Sequence, residues 1–259
     1  MPSGAAAPTF AGVPTVFVHG LPETEIVWDP LADALDGTSV SIALPGFGAP
    51  LPGGFIPSKD GYANWLTTRL ETIEDPIDLV GHDFGSVLCL RLVTGLETRV
   101  RSWTVDLANL FHPAYVWHRT ARIWQTLGAG EEAMARVHSD GAEGLARRAA
   151  RLGQLGVPSD VARAMSAAHD EVMSRCILGL YRSAQPNVRA DWAITPAGAT
   201  APGLVLHAAA DPFGDASMSG AVAGELGAAQ ARLDDLGHMW MIEDPRRVAA
   251  LLERFRAWL

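Results

Sequence analysis

The sequence predicts an α/β fold with a mostly parallel central sheet, helices on both faces, and a helical cap inserted after a central strand. Short apolar runs, β-branched or Leu-rich, alternate with helical periodicities, as strands buried on both faces and joined by crossover helices do. One run passes straight into Gly81-x-Asp83-x-Gly85 and then into a helical stretch. From about Leu110 to Gln185 the strand signal stops, and it resumes at Gly203.

Strands are expected at Thr15–Val18 (TVFV), Val40–Leu44 (VSIAL), Ile77–Val80 (IDLV), Ser102–Val105 (SWTV) and Leu204–Leu206 (LVL). Each is too short for a stable helix and rich in side chains that pack on a pleated surface. Amphipathic helices are expected after Trp28, from about Asp60 to Thr72, from Phe84 to about Thr94, and from Pro245 to Leu259. Turns at Gly128, Gly130, Gly141, Gly156 and Pro158 divide the inserted stretch into short helices, one of them over the Ala/Arg-rich run Ala142–Leu152. The expected division is a core domain of residues 1–109 and 186–259 and a helical cap of residues 110–185. Such a cap covers the C-terminal edge of the sheet, where open α/β sheets bind ligands.

At 259 residues and 48% hydrophobic composition the chain buries a substantial core. A net charge of −9 and a pI near 5.3 deny it the basic surface that nucleic acid requires. Cys89 and Cys176 both lie in apolar stretches, the setting of buried free thiols in a reducing compartment. The lead Met1–Pro14 has no basic segment followed by an apolar run, and no window approaches the ~20 apolar residues of a membrane span. A cytoplasmic location is expected. There is no internal repeat.

The chemistry centres on Asp78-Leu79-Val80-Gly81-His82-Asp83-Phe84-Gly85-Ser86, an apolar strand, a tight turn and a helix start. This is the context of a nucleophile elbow, in which the central residue is held in a strained turn and its neighbours must be glycine. Esterases carry Ser at the centre, whereas here it is Asp83, and Ser86 lies past it. His19-Gly20-Leu21-Pro22-Glu23 follows the first strand, Leu44-Pro45-Gly46-Phe47-Gly48 follows the second, and Gly237-His238-Met239 precedes the last helix. Together these segments resemble the epoxide hydrolase and haloalkane dehalogenase branch of the α/β-hydrolase superfamily, closest to epoxide hydrolases. The resemblance implies the α/β-hydrolase fold and a carboxylate nucleophile at Asp83. It also implies an oxyanion hole formed by the backbone amides of Phe84 and Leu21.

The residues support the same scheme. A carboxylate that attacks an sp³ carbon forms an alkyl ester, and a general base must then activate water to cleave it. His238 is the candidate base. Asp211, after the strand at Leu204–Leu206, is the expected acid that orients it, with Asp106 as the alternative at the end of the preceding strand. Asp83 read as a helix N-cap is the bland alternative. Asp215, Asp234 and Asp235 read as surface turn residues, and His82 and His19 as structural.

Opening an epoxide requires a proton donor to its oxygen, and a phenol remains protonated at neutral pH. Tyr181, in Leu180-Tyr181-Arg182-Ser183, resembles the ring-opening tyrosine of epoxide hydrolases, and His118, after Trp117, resembles their second donor, with Tyr115 as alternative. Halide binding would call for side-chain N–H donors where this chain has Phe84 and Leu21, although Trp117 or Trp124 offers an indole. Phe111, Tyr115, Trp117 and Trp124 are expected to line an apolar pocket. No cofactor or metal is implied. The expected partner is a small apolar epoxide, and a homodimer stays open. A dehalogenase using the same Asp83, or a non-catalytic binding protein of the same fold, are the alternative functions.

Overall fold

A computed structural model describes residues 12–73, 76–95, 99–192, 199 and 201–259. Six strands form the main sheet: β1 (Thr15–Val18), β2 (Ser39–Ile42), β5 (Ile77–Gly81), β6 (Val100–Val105), β7 (Gly203–Ala208) and β8 (Ala229–Leu233). Their order is β2-β1-β5-β6-β7-β8 and every pairing is parallel. A small pair, β3 (Leu44–Pro45) and β4 (Gly48–Ala49), follows β2. β1 and β5 are buried at every position, which accounts for their mostly apolar sequences, Asp78 being the charged exception. β8 is an edge strand of sequence AQARL, largely exposed, and the run Ala231–Leu236, expected as apolar, overlaps only its last three residues.

Helices α1 (Asp29–Ala34), α2 (Lys59–Glu71), α3 (Phe84–Gly95), α9 (Ala216–Leu226), α10 (Trp240–Glu243) and α11 (Pro245–Arg256) surround the sheet. α2 begins where the Ser58 hydroxyl accepts from the Gly61 amide at 3.0 Å, and α11 begins at Asp244 with Pro245 in its first turn. α11 ends at Arg256, short of the expected Leu259. Asp215 is not a simple turn residue, because its carboxylate caps α9 by accepting from the Met218 amide at 2.8 Å. Asp234 and Asp235 are surface residues paired with Arg232 and Arg247.

Between β6 and β7 lie α4 (Arg119–Gln125), α5 (Ala129–Ser139), α6 (Gly141–Gln154), α7 (Ser159–Ala168) and α8 (Glu171–Ser183). Gly128 and Gly156, at φ of 80° and 86°, divide them as expected. Gly130, expected as a divider, instead lies inside α5, where an added Cβ would sit 2.8 Å from the Trp124 carbonyl; glycine there admits close helix approach. Among the described residues no helix is long and apolar enough to cross a membrane.

From β1 the chain moves to one side to form β2, then returns to place β5 on the other side of β1. The loops leaving β1 and β5 therefore open a crevice at this switch point, the ordinary ligand site of open α/β sheets. Within the same sheet, Asp78 of β5 is 2% exposed and binds the Ser102 hydroxyl at 2.6 Å, Arg101 Nε at 2.9 Å and Arg256 Nε at 3.2 Å. Replacing Asp78 with Ala would leave the buried Arg256 cation without this partner. A loss of about 3–5 kcal/mol is expected, measurable by urea denaturation.

Candidate active site

Asp83 has φ 50°, a left-handed conformation rare for a residue with a side chain. Its neighbours have no room for one: a Cβ on Gly85 would lie 2.2 Å from the Val18 carbonyl, and one on Gly81 2.8 Å from Ser86 Cα. The loop after β1 presses equally close, since a Cβ on Gly20 would lie 2.4 Å from Asp83 Cβ. That approach lets the Leu21 amide donate to Asp83 Oδ1 at 3.1 Å, and the Phe84 amide also favours the ionised carboxylate. Asp83 stands directly before α3, but its carboxylate turns to the loop after β1, while the Ser86 amide is met by backbone carbonyls. Its side chain, with that of His238, lines a cavity of about 340 Å³.

His238 follows β8 and is buried, with Nδ1 2.9 Å from Asp211 Oδ2. Asp211 is fixed in turn by the Phe213 amide, which donates to Oδ1 at 2.8 Å. Burial works to lower the His238 pKa, but the hydrogen bond to Asp211 and the charges of Asp211 and Asp83 outweigh burial and the opposing charge of His82, raising it. For Asp83 burial dominates and raises the pKa, against the lowering effect of His238 and His82. The two alternatives for the acid are thus separated by geometry. Asp106 lies beneath the elbow, where Oδ1 accepts from the Asp83 amide at 2.9 Å and the Ser86 hydroxyl at 2.8 Å. Its Oδ2 meets His82 Nδ1 at 2.5 Å and the Trp240 indole at 2.6 Å.

Sequence reasoning did not single out Glu23. It is 1% exposed, held by the Gly20 amide at 3.0 Å, and places Oε1 3.3 Å from His82 Nε2 and 3.8 Å from His238 Nε2. Burial opposes its ionisation, yet the neighbouring His82 and His238 prevail and keep its pKa low. His82 is likewise held well above its ordinary value: burial is outweighed by the charges of Asp106 and Glu23. Its ring lies buried between two carboxylates, a stronger electrostatic role than the structural one expected. The signal was the carboxylate closing His19-Gly20-Leu21-Pro22-Glu23. Glu23, His82 and His238 bring one ligand atom each within 4.8 Å of one another. Glu23 Oε1 faces the Nε2 atoms of both rings, an arrangement through which a proton can be shared between His82 and His238. His19 is structural, its ring spanning the Gly20 carbonyl at 2.8 Å and the Leu44 amide at 3.2 Å.

The helices after β6 supply the rest of the cavity wall. Tyr181 of α8 is 3% exposed and packs edge-on against Phe84, Trp117 and Trp124, with ring centroids 5.9, 5.2 and 4.9 Å away. Burial, then the charge of Asp83, push its phenol well above the usual value and keep it protonated. Tyr115 lines the cavity and shifts upward for the same reasons. His118 caps α4, its Nδ1 accepting from the Ala121 amide at 3.3 Å, which assigns the ring proton to Nε2. Its pKa is lowered by burial and by the charges of Arg122 and His238. Trp117 is a wall residue whose indole N–H donates to the Ala184 carbonyl at 3.1 Å. Trp124 also lines the cavity. Phe111 does not: it is buried in the core beside Trp192, at 6.3 Å between centroids, because it ends the short turn Ala108–Phe111 that packs against α9 and α3.

The arrangement joins a carboxylate held by backbone amides, an imidazole backed by a carboxylate, and a phenol around one cavity. No curated protein matches the chain. Among solved structures it is similar to an esterase from Exiguobacterium antarcticum, at 14% identity and TM-score 0.73, covering 95% of this chain and 92% of that one. It is also similar to a haloalkane dehalogenase from Bradyrhizobium elkani, at 20% identity and TM-score 0.70, covering 96% and 93%. A hydrolase from Pseudomonas aeruginosa aligns at 19% identity and TM-score 0.70, covering 96% and 91%. At such identities the likeness concerns the fold. The model of the alpha/beta hydrolase family matches residues 15–251, and the chain belongs to that family.

Proposed function

We propose that this hydrolase is an epoxide hydrolase that opens an apolar epoxide to a vicinal diol through an ester on Asp83. One observation carries the reading: the protonated phenol of Tyr181 shares the cavity of Asp83 and His238, close enough for the charge of Asp83 to shift it. Asp83 attacks a ring carbon, the C–O bond breaks, and the departing oxygen takes the Tyr181 proton while His118 Nε2–H hydrogen-bonds to it. His238, oriented by Asp211, then removes a proton from water, which attacks the ester carbonyl. The Phe84 and Leu21 amides hold the oxyanion. Collapse expels the diol oxygen, which takes the proton from His238; the second water proton, left on the Asp83 carboxyl, departs to restore the carboxylate and balances the one that Tyr181 takes back. Glu23, 3.8 Å from His238 Nε2, supports the imidazolium formed in between.

A dehalogenase on the same Asp83 is the second reading, favoured by the Trp124 indole in the cavity wall and by the Bradyrhizobium enzyme's likeness. Against it, Phe84 and Leu21 flank Asp83 without side-chain donors, and the Trp117 indole is already bound to Ala184. Diol and halide release, measured in parallel on epoxides and haloalkanes, decide between them. Tyr181→Phe is expected to slow ester formation from epoxides about tenfold to a hundredfold, the usual worth of a general acid that has a second donor beside it. Unchanged turnover in that variant sinks the epoxide reading.

A further inference from the structure

The cavity carries a second set of polar groups for which the reaction at Asp83 has no use. Arg148 and Arg151 of α6, Ser166 of α7 and His169 before α8 all line it, set among Leu152, Leu155 and other apolar side chains. The two arginines are three residues apart and share a helix face. Arg148 is fixed by its outer nitrogens, which donate to the Val137 carbonyl at 2.8 Å and the Ser166 carbonyl at 3.3 Å. Its Nε is buried and, among the described residues, has no hydrogen-bond partner. The Ser166 hydroxyl is also buried without one, in a residue 3% exposed.

The acidic groups whose charge reaches this wall are engaged elsewhere. Asp140 binds Arg147 at 2.5 Å, and Asp170 caps α8 by accepting from the Met173 amide at 2.7 Å. His169 Nε2 is 3.1 Å from the Ser174 hydroxyl, which also meets His138 Nε2 at 2.9 Å. Burial, then the charges of Arg148 and His138, push His169 down to about 4, so it is neutral at pH 7 and adds polarity without charge. A chain of net charge −9 thus sets a cation and unpartnered donors in the wall of its own cavity. A guanidinium with a free N–H beside a hydroxyl matches the two oxygens and single charge of a carboxylate.

We propose that Arg148, Arg151 and Ser166 form a carboxylate-recognition subsite, so that the substrate is an amphiphile with its anionic head at this wall and its electrophilic carbon at Asp83. The substrate class rests on the epoxide reading above; the subsite does not.

Binding therefore tests the subsite apart from the chemistry. Calorimetry with decanoate and with decanol is expected to show the acid bound about tenfold or more tightly, the worth of a charge-assisted hydrogen bond. That preference should fall away in Arg148→Gln and persist in part in Arg148→Lys. Ser166→Ala and Arg151→Gln, a small change and an exposed one, each reduce it and serve if Arg148→Gln does not fold. Equal affinity of the wild-type protein for acid and alcohol overturns the subsite. In kinetics, a terminal-epoxy fatty acid should exceed its methyl ester in kcat/KM through a lower KM, and Arg148→Gln should shrink that ratio. If neither epoxide turns over while decanoate keeps its Arg148-dependent advantage, the epoxide reading fails and the subsite stands.

Discussion

Asp83→Asn is expected to abolish multi-turnover diol formation, with kcat lower by at least about 10⁴-fold, as for loss of a covalent nucleophile. Asn is the right replacement because it tolerates the φ of 50° and can still accept from the Leu21 amide, leaving fold and cavity in place. An unchanged thermal midpoint alongside lost turnover would assign the effect to chemistry. Mass spectrometry over hours is part of the test, since an amide placed beside His238 can hydrolyse and regenerate the carboxylate. Activity that returns with a mass gain of one unit, about 1 Da, supports the nucleophile, whereas immediate full activity rejects it.

The same variant bears on the electrostatics of the site. Glu23, Asp106 and Asp211 are buried around His82 and His238, and half-buried Asp83 faces the cavity that His238 also lines. Burial of Asp83 raises its pKa, so ester formation should decline at an acidity milder than the ordinary carboxylate range. Its charge also helps to raise His238. Removing that charge, by mutation or by esterification, should lower the His238 pKa. The site would thus release His238 to act as a base only once the ester exists.

Much of this layout could be read from sequence wherever backbone geometry dictated residue type. Gly85 must be glycine because strand β1 presses on the elbow, and Gly81 because the start of α3 does, and that necessity marked Asp83. Strands buried on both faces announce themselves by mostly apolar runs. The edge strand β8 and the Ala/Gly/Ser-rich α9 do not, because neither needs an apolar face of high contrast. The choice between Asp211 and Asp106 was beyond sequence for another reason. Both end neighbouring strands, and only the direction of each side chain decides that one meets His238 and the other His82. Glu23 was hidden because a loop carboxylate acquires its role through burial against two imidazoles, and Phe111 misled because an aromatic in a cap sequence is equally suited to the core.

His238→Gln is expected to divide the reaction in two. Asp83 keeps its amide donors, so ester formation should proceed, with one equivalent of epoxide consumed per protein and a mass increase equal to that of the substrate. Hydrolysis should then stall, lowering steady-state kcat by about 10³–10⁴-fold, as for loss of a general base acting on water. In the wild-type protein the hydrolytic step should rise with pH as His238 loses its proton, because only the neutral ring can take one from water. Asp211→Asn should keep the ring in place yet shift this limb to lower pH, since the hydrogen bond and charge that raise His238 would be weakened. A stalled ester in His238→Gln joined to an unshifted limb in Asp211→Asn would retain His238 as the base and remove Asp211 as its partner. Full turnover without any adduct would remove His238 itself, and with it the chemical reason for an imidazole buried in the cavity of Asp83.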